Sequence, residues 1–230
     1  SSKGFDVFLD THDIRPGIRF LEALWHKLCD SDVMIMLDTQ SYFSSRWTSE
    51  EFFKAQAKGI LMLRVVWPNH TPNKLSDLAQ TISLAQEDIE TSGNITNNRL
   101  IEILMTAERL RSKSIALRHL NMVSRIKMEA TKLDYTFEGV SMHRAVLLRN
   151  ANSNRVIAYP IVGIPNALII NSIHQNHLST QTPISIFVYD DAGFSEKWMK
   201  HIDWLREIVP DVKPVKFRYL DYALPEFRML

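Results

Sequence analysis

Short apolar runs alternate with helical spacings through the first third of the chain. That alternation restricts it to a parallel sheet with helices on its faces. Val7-Phe8-Leu9, inside the run Phe5 to Asp10, reads as a short buried strand. Leu21, Leu24, Trp25 and Leu28 fall at i, i+3, i+4 and i+7, the spacing of an amphipathic helix. Asp32 to Leu37 is a second apolar strand, residues 47–58 a second helix, and Ile60 to Val66 a third strand closed by Trp67-Pro68.

Beyond Asn69 the pattern loosens. Residues 74–85 are predicted helical and 86–98 a loop around Gly93. A long helical pattern then runs from Asn97 to Lys132, with Leu100, Ile103, Leu104, Ala107 and Leu110 on one face. At that length it is expected either to break near Ser112–Ser114 or to bridge two lobes.

The last hundred residues form a second α/β pattern. Ala145 to Arg149 and Arg155 to Tyr159 flank the polar loop Asn150 to Asn154 as a hairpin, and Pro165-Asn166 opens a helix to His177. Ile184 to Tyr189 is a strand, Trp198, Ile202, Leu205 and Val209 space a helix, and Val215 to Leu220 reads as a last strand. The expected layout is an α/β domain over 1–96, a connecting helix over 97–133 and a smaller α/β lobe over 134–230.

Charge excludes several classes. With 27 Lys and Arg against 26 Asp and Glu the chain lacks the basic excess of a phosphate-gripping protein. No apolar run reaches membrane-spanning length and the N-terminus has no signal pattern, so a cytoplasmic protein without a membrane partner is expected. The single cysteine, Cys29, can form no internal disulfide, and no cysteine cluster is present to hold zinc.

The first lobe carries an ordered set of markers. These are the run Phe5 to Asp10, a polar loop ending Ile14-Arg15-Pro16-Gly17, an amphipathic helix and the strand Val33 to Leu37. Ser41-Tyr42-Phe43-Ser44-Ser45-Arg46-Trp47-Thr48-Ser49-Glu50-Glu51 follows. Over Gly4 to Pro68 this resembles a TIR (Toll/interleukin-1 receptor) domain of the bacterial NAD+-cleaving type. The resemblance implies a TIR-like, flavodoxin-like parallel sheet flanked by helices, here joined by a long helix to the second lobe. A TIR domain normally begins with a strand and a helix before the segment that starts here at Gly4. Ser1-Ser2-Lys3 looks like the serine-rich turn after that first strand, so residues are expected to be missing between Lys3 and Gly4.

Such TIR domains hydrolyse NAD+, as substrate and without a cofactor. Cleaving the bond to a cationic pyridinium builds oxocarbenium character on the ribose, which a nearby carboxylate stabilises. Glu51 matches the family's catalytic glutamate by its offset of four from Trp47, a spacing that puts both side chains on one helix face. The resemblance makes Trp47 a wall of the nicotinamide pocket. Glu50 points about a quarter-turn away, towards solvent. Asp10 bonds a substrate hydroxyl or caps its turn; Ser45 lines the pocket or caps the helix at 47. The loop Thr11 to Gly17 is, by resemblance, the BB loop through which TIR domains self-associate. Together these imply an NAD+ nucleosidase activated by oligomerisation in antiphage immunity, with a trigger ligand or partner protein at the C-terminal lobe. The alternative is a non-enzymatic TIR adaptor acting through TIR–TIR contacts, which has no use for the Trp47/Glu51 pair.

Three other clusters have plainer readings. His174 and His177 lack the spacing of a helical zinc pair with its glutamate. Asp190-Asp191-Ala192-Gly193 after a strand reads as a turn before a helix capped by Ser195. The long helix carries Arg99, Arg109, Arg111, Lys113, Arg118, Arg125, Lys127 and Lys132 against three acids, a solvated basic face or a nucleic-acid surface.

Overall fold

The computed structural model describes residues 6–8, 20–42, 46–72, 79–180 and 184–227. It is a mixed α/β protein of two compact units, one of Ser31–Arg118 and one of Ser1–Asp30 together with His119–Leu230.

The first unit is built on three parallel strands, β1 (Val33–Asp38), β2 (Leu61–Val66) and β3 (Gln80–Ser83), in that order. Val33 pairs with Leu61 and Leu63 with Gln80. The central strand is buried almost throughout, as a sheet covered on both faces requires. Leu63 and Val65 face Ile103, Ala107 and Leu110 of a long helix, and Ile82 and Leu84 complete that core. The helix α2 (Arg46–Ala57) packs on β2 with Phe52 and Ala55 buried.

The second unit holds a five-stranded sheet in the order β4 (Thr136–Val140), β5 (Val146–Arg149), β6 (Arg155–Ile161), β7 (Ile184–Tyr189) and β8 (Val212–Lys216). β4, β5 and β6 are antiparallel neighbours, and β6, β7 and β8 run parallel. Successive side chains alternate between two cores. Val146, Leu148, Val156 and Ile186 meet Met122, Ile126 and Leu220 on one face. Leu147, Ile157, Tyr159 and Phe187 meet helices α4 (Ala167–Thr180) and α5 (Glu196–Ile208) on the other.

The long helix, α3 (Asn97–Lys132), is a single helix of 36 residues and does not break at Ser112–Ser114. Buried residues Ile103, Ala107, Leu110, Ser114, Arg118, Met122, Ile126 and Ala130 recur every three or four positions, and Thr106 and Glu129 are buried beside this stripe. Ser114 is fully buried and its hydroxyl accepts the N–H of Leu61, so the serine joins the core stripe.

Four further readings are corrected. Asp6 to Phe8 carry no strand, and Val7 is 60% exposed; Leu9 and Asp10 lie outside the described residues. Gln80–Ser83, expected within a helix, is the third strand, because its N–H and C=O groups extend the β2 ladder. The last strand ends at Lys216: Phe217–Tyr219 is a 3-10 turn and Leu220–Ala223 helical, which buries Leu220 and Leu224 in the core. β4 was not foreseen; its burial alternates weakly, with Val140 48% exposed.

The helix α1 (Phe20–Asp30) packs in the second unit, against the carboxyl ends of β6 and β7. Asp30 Oδ1 accepts from Ile164 N at 3.3 Å, the Cys29 thiol donates to Ala192 O at 3.1 Å, and Glu22 accepts from Glu196 N at 3.2 Å. Gly193 makes the approach possible. A Cβ there would sit 2.8 Å from Cys29 Sγ, and its φ of +88° is one that other residues adopt only under strain. Gly93 has a similar φ of +84° but open space around it. Gly93→Ala should therefore cost about 1 kcal/mol from backbone strain alone. Gly193→Ala should cost a further ~1–3 kcal/mol from the clash. Urea unfolding of the two variants side by side reads the difference.

His26 adds a pH dependence to the same contact. Its ring lies 6.0 Å from Phe194 and 5.4 Å from Trp198, and Nδ1 accepts from Ser195 N at 3.4 Å. Burial is the main cause lowering its pKa below 6.5, with Lys27 lowering it further and Asp30 and Glu22 opposing. The folded state thus binds fewer protons than the unfolded one as pH falls through 6.5. The stability His26 provides is complete above that value and declines below it. Unfolding midpoints measured on either side of 6.5 should fall towards acid, and His26→Gln should flatten that part of the curve.

Candidate functional site

α2 carries Glu51, the residue singled out for catalysis. Its first turn is tied to the preceding loop by the Thr48 hydroxyl, which donates to Tyr42 O at 2.7 Å. Phe52 and Ala55 turn inward, Phe53 is 51% exposed, and the Phe52 and Phe53 rings meet edge-on. Glu51 precedes Phe52 and lies one turn before Ala55, so it sits at the margin of the buried face and is half-buried. Glu50 is also half-buried, which differs from its expected place in solvent. Burial alone does not separate the two carboxylates.

Trp47 lies within α2, one turn before Glu51, but its side chain is outside what the structure describes. Asp10, Ser45 and the loop Thr11 to Gly17 also fall outside the described residues, as does the Lys3–Gly4 junction.

The sequence reading missed a second polar centre at the carboxyl ends of β1 and β2, where open α/β sheets place ligands. Asp38 closes β1 with a fully buried side chain, and His70 Nε2 stands 3.1 Å from its Oδ1. Its Oδ2 is buried without a hydrogen-bond partner. Trp67 N–H donates to Asp38 O at 2.9 Å, and Asn69 adopts φ +59°; this turn brings His70 back over the strand end. The available signal was an aspartate closing an apolar run, with a histidine just after Trp67-Pro68.

The other clusters are structural in their contacts. Asp191 is buried between Arg218 at 2.6 Å and Lys216 at 3.3 Å, and Asp190 Oδ1 accepts from Ala192 N. Ser195 caps α5 by accepting from Trp198 N. His177 Nδ1 lies 3.0 Å from Ser185 Oγ. Among the described residues no three His, Cys, Asp or Glu side chains converge as a metal site.

The basic face of α3 is largely engaged within the chain. Arg118 binds Asp32, Arg111 binds Glu108 and Asp32, Arg99 binds Asp88 and Glu102, and Arg125 and Lys132 both reach Glu129. No helix among the described residues is long and apolar enough to cross a membrane.

Residues 1–100 match the family model described as TIR domain. No curated protein and no solved structure matches the chain.

His70→Ala would leave the Asp38 carboxylate buried without the one partner described for it. The variant should lose on the order of 1–3 kcal/mol of stability. Asp38→Asn, which removes the buried charge and keeps the shape, should be the milder change. Denaturant unfolding of both compares them.

Proposed function

Because residues 1–100 carry a TIR domain, we propose that the chain is an NAD+ glycohydrolase with Glu51 as its catalytic carboxylate. The observation that carries this reading is the position of Glu51 on α2, one turn after Trp47 and half-buried at the edge of the α2 core face.

The reaction asks little of the protein. The bond between ribose C1′ and the pyridinium nitrogen breaks with its electron pair going to nitrogen, so nicotinamide leaves neutral and needs no general acid. Positive charge develops on the ribose, and a carboxylate fixed beside it lowers the barrier electrostatically. Water then adds to C1′ and loses a proton, giving ADP-ribose; capture by a group of the substrate itself gives a cyclic product. Trp47 supplies an apolar wall for nicotinamide, and Asp10 and Ser45 are the groups offered to the ribose hydroxyls.

Activity is set by self-association through the TIR domain, with Thr11 to Gly17 as the contact loop. In this reading residues 1–96 are assigned to catalysis, 97–133 to connection and 134–230 to control, and a trigger ligand or partner acts on the last of these. The setting is cytoplasmic antiphage defence, where NAD+ loss halts the infected cell.

The comparison of neighbouring glutamates tests the site. Glu51→Gln keeps size and hydrogen bonding but removes the charge, and should lower nicotinamide release by about 100-fold or more. Glu50→Gln should stay near the parent rate. Equal losses in both variants, or none in Glu51→Gln, would remove Glu51 from the mechanism.

A further inference from the structure

The second unit has a groove of about 550 Å³ that belongs to neither centre described above. Arg149 of β5, Arg155, Ile157 and Tyr159 of β6, and Asn176 and Thr180 of α4 line it. Leu147, Ile157 and Tyr159 belong to the core face covered by α4 and α5. The groove lies where that face runs past the end of α4 onto the antiparallel side of the sheet. Its size suits a small organic molecule.

Its charge is one-sided. No Asp or Glu is among the lining residues. Glu138 sits behind the two arginines and binds both, Arg149 through Nε at 2.6 Å and Arg155 through Nε at 3.1 Å. One carboxylate against two guanidinium groups leaves a net positive charge. Arg149 is spent further, since its Nη2 also pairs with Glu138 and its Nη1 donates to Ser153 O. Arg155 makes only the Nε contact among the described residues, its side chain is 60% exposed and it lines the groove, so its terminal nitrogens are open to a ligand. Such a fork binds phosphate or carboxylate oxygens in pairs.

The opposite wall has the reverse polarity. It is the last turn of α4, where helix carbonyls concentrate partial negative charge. The Ser179 and Thr180 hydroxyls already donate to Asn176 O, which keeps them from serving as anion donors without rearrangement. An occupant must therefore offer an anion at one end and hydrogen-bond donors at the other, with an apolar middle over Leu147 and Ile157. A lone inorganic anion meets the first demand only. Burial raises the Tyr159 pKa, so that hydroxyl stays protonated and available as a donor.

We propose that this groove binds a phosphorylated small molecule of nucleoside-monophosphate size, its phosphate on the terminal nitrogens of Arg155, with Arg149 beside it adding positive charge, and its hydroxyl or amino groups towards the end of α4. This names a ligand class for the lobe, and it stands whether or not Glu51 is catalytic.

The test uses the full chain and equilibrium dialysis with AMP, GMP, CMP and UMP, alongside the unphosphorylated nucleosides. At least one monophosphate should bind saturably and less tightly as salt rises, while its nucleoside binds far more weakly. Arg155→Gln should weaken that binding about tenfold or more. The change leaves Glu138 paired with Arg149, so the fold is kept, as an unchanged circular dichroism spectrum would confirm. Arg206→Gln, on exposed α5 surface away from the groove, should have no effect. Silence from all four monophosphates, equal binding of the nucleoside, or equal losses in the Arg155 and Arg206 variants would overturn the assignment.

Discussion

The contact between Cys29 and Gly193 fixes how the chain is partitioned. Backbone and side chain approach there closely enough that a single added methyl would overlap the thiol. The same contact brings Asp30 to the Ile164 amide and His26 between Phe194 and Trp198. α1 thereby covers the carboxyl ends of β6 and β7, the end at which parallel sheets most often receive ligands. In this unit that place is filled by the chain itself, and the open groove lies beside the hairpin of β5 and β6.

α3 imposes the second constraint. One continuous buried stripe supplies Ile103, Ala107 and Leu110 to the three-stranded core and Met122, Ile126 and Ala130 to the five-stranded one, with the polar Ser114 and Arg118 between the two apolar sets. A helix this long is stabilised by burial of its stripe, and Arg99, Arg111, Arg118 and Arg125 are held by acids of its own unit or its own turns. The basic excess of this segment is therefore mostly spent inside the protein, which weakens a nucleic-acid reading of it.

Much of the architecture was legible because period and punctuation agreed. The β5–β6 hairpin, β7, α5 and the α/β class all follow from apolar spacing between polar turns. The strand Gln80–Ser83 was not legible: four residues with a single buried side chain, Ile82, carry too little pattern to separate strand from helix. The end of β8 was misread for the opposite reason. Phe217 and Leu220 are apolar enough to continue a strand, yet the chain turns back onto the core, burying Leu220 and packing Phe217 against it partly buried. The packing of α1 could not be read at all, since a thiol and a glycine 164 positions apart give no local signal. At the candidate site, the offset between Trp47 and Glu51 was visible as a motif, whereas Asp38 and His70 meet only through the strand register and a left-handed turn at Asn69.

The proposed function therefore rests on the match of residues 1–100 to the TIR domain model, on a chemistry that needs one well-placed carboxylate, and on a proposed dependence of activity on association. The most direct measurement is nicotinamide release from NAD+ by the intact chain over a wide range of protein concentration. The account predicts release whose rate per molecule climbs as concentration rises. Release whose rate per molecule stays constant across the whole range of concentration would contradict it.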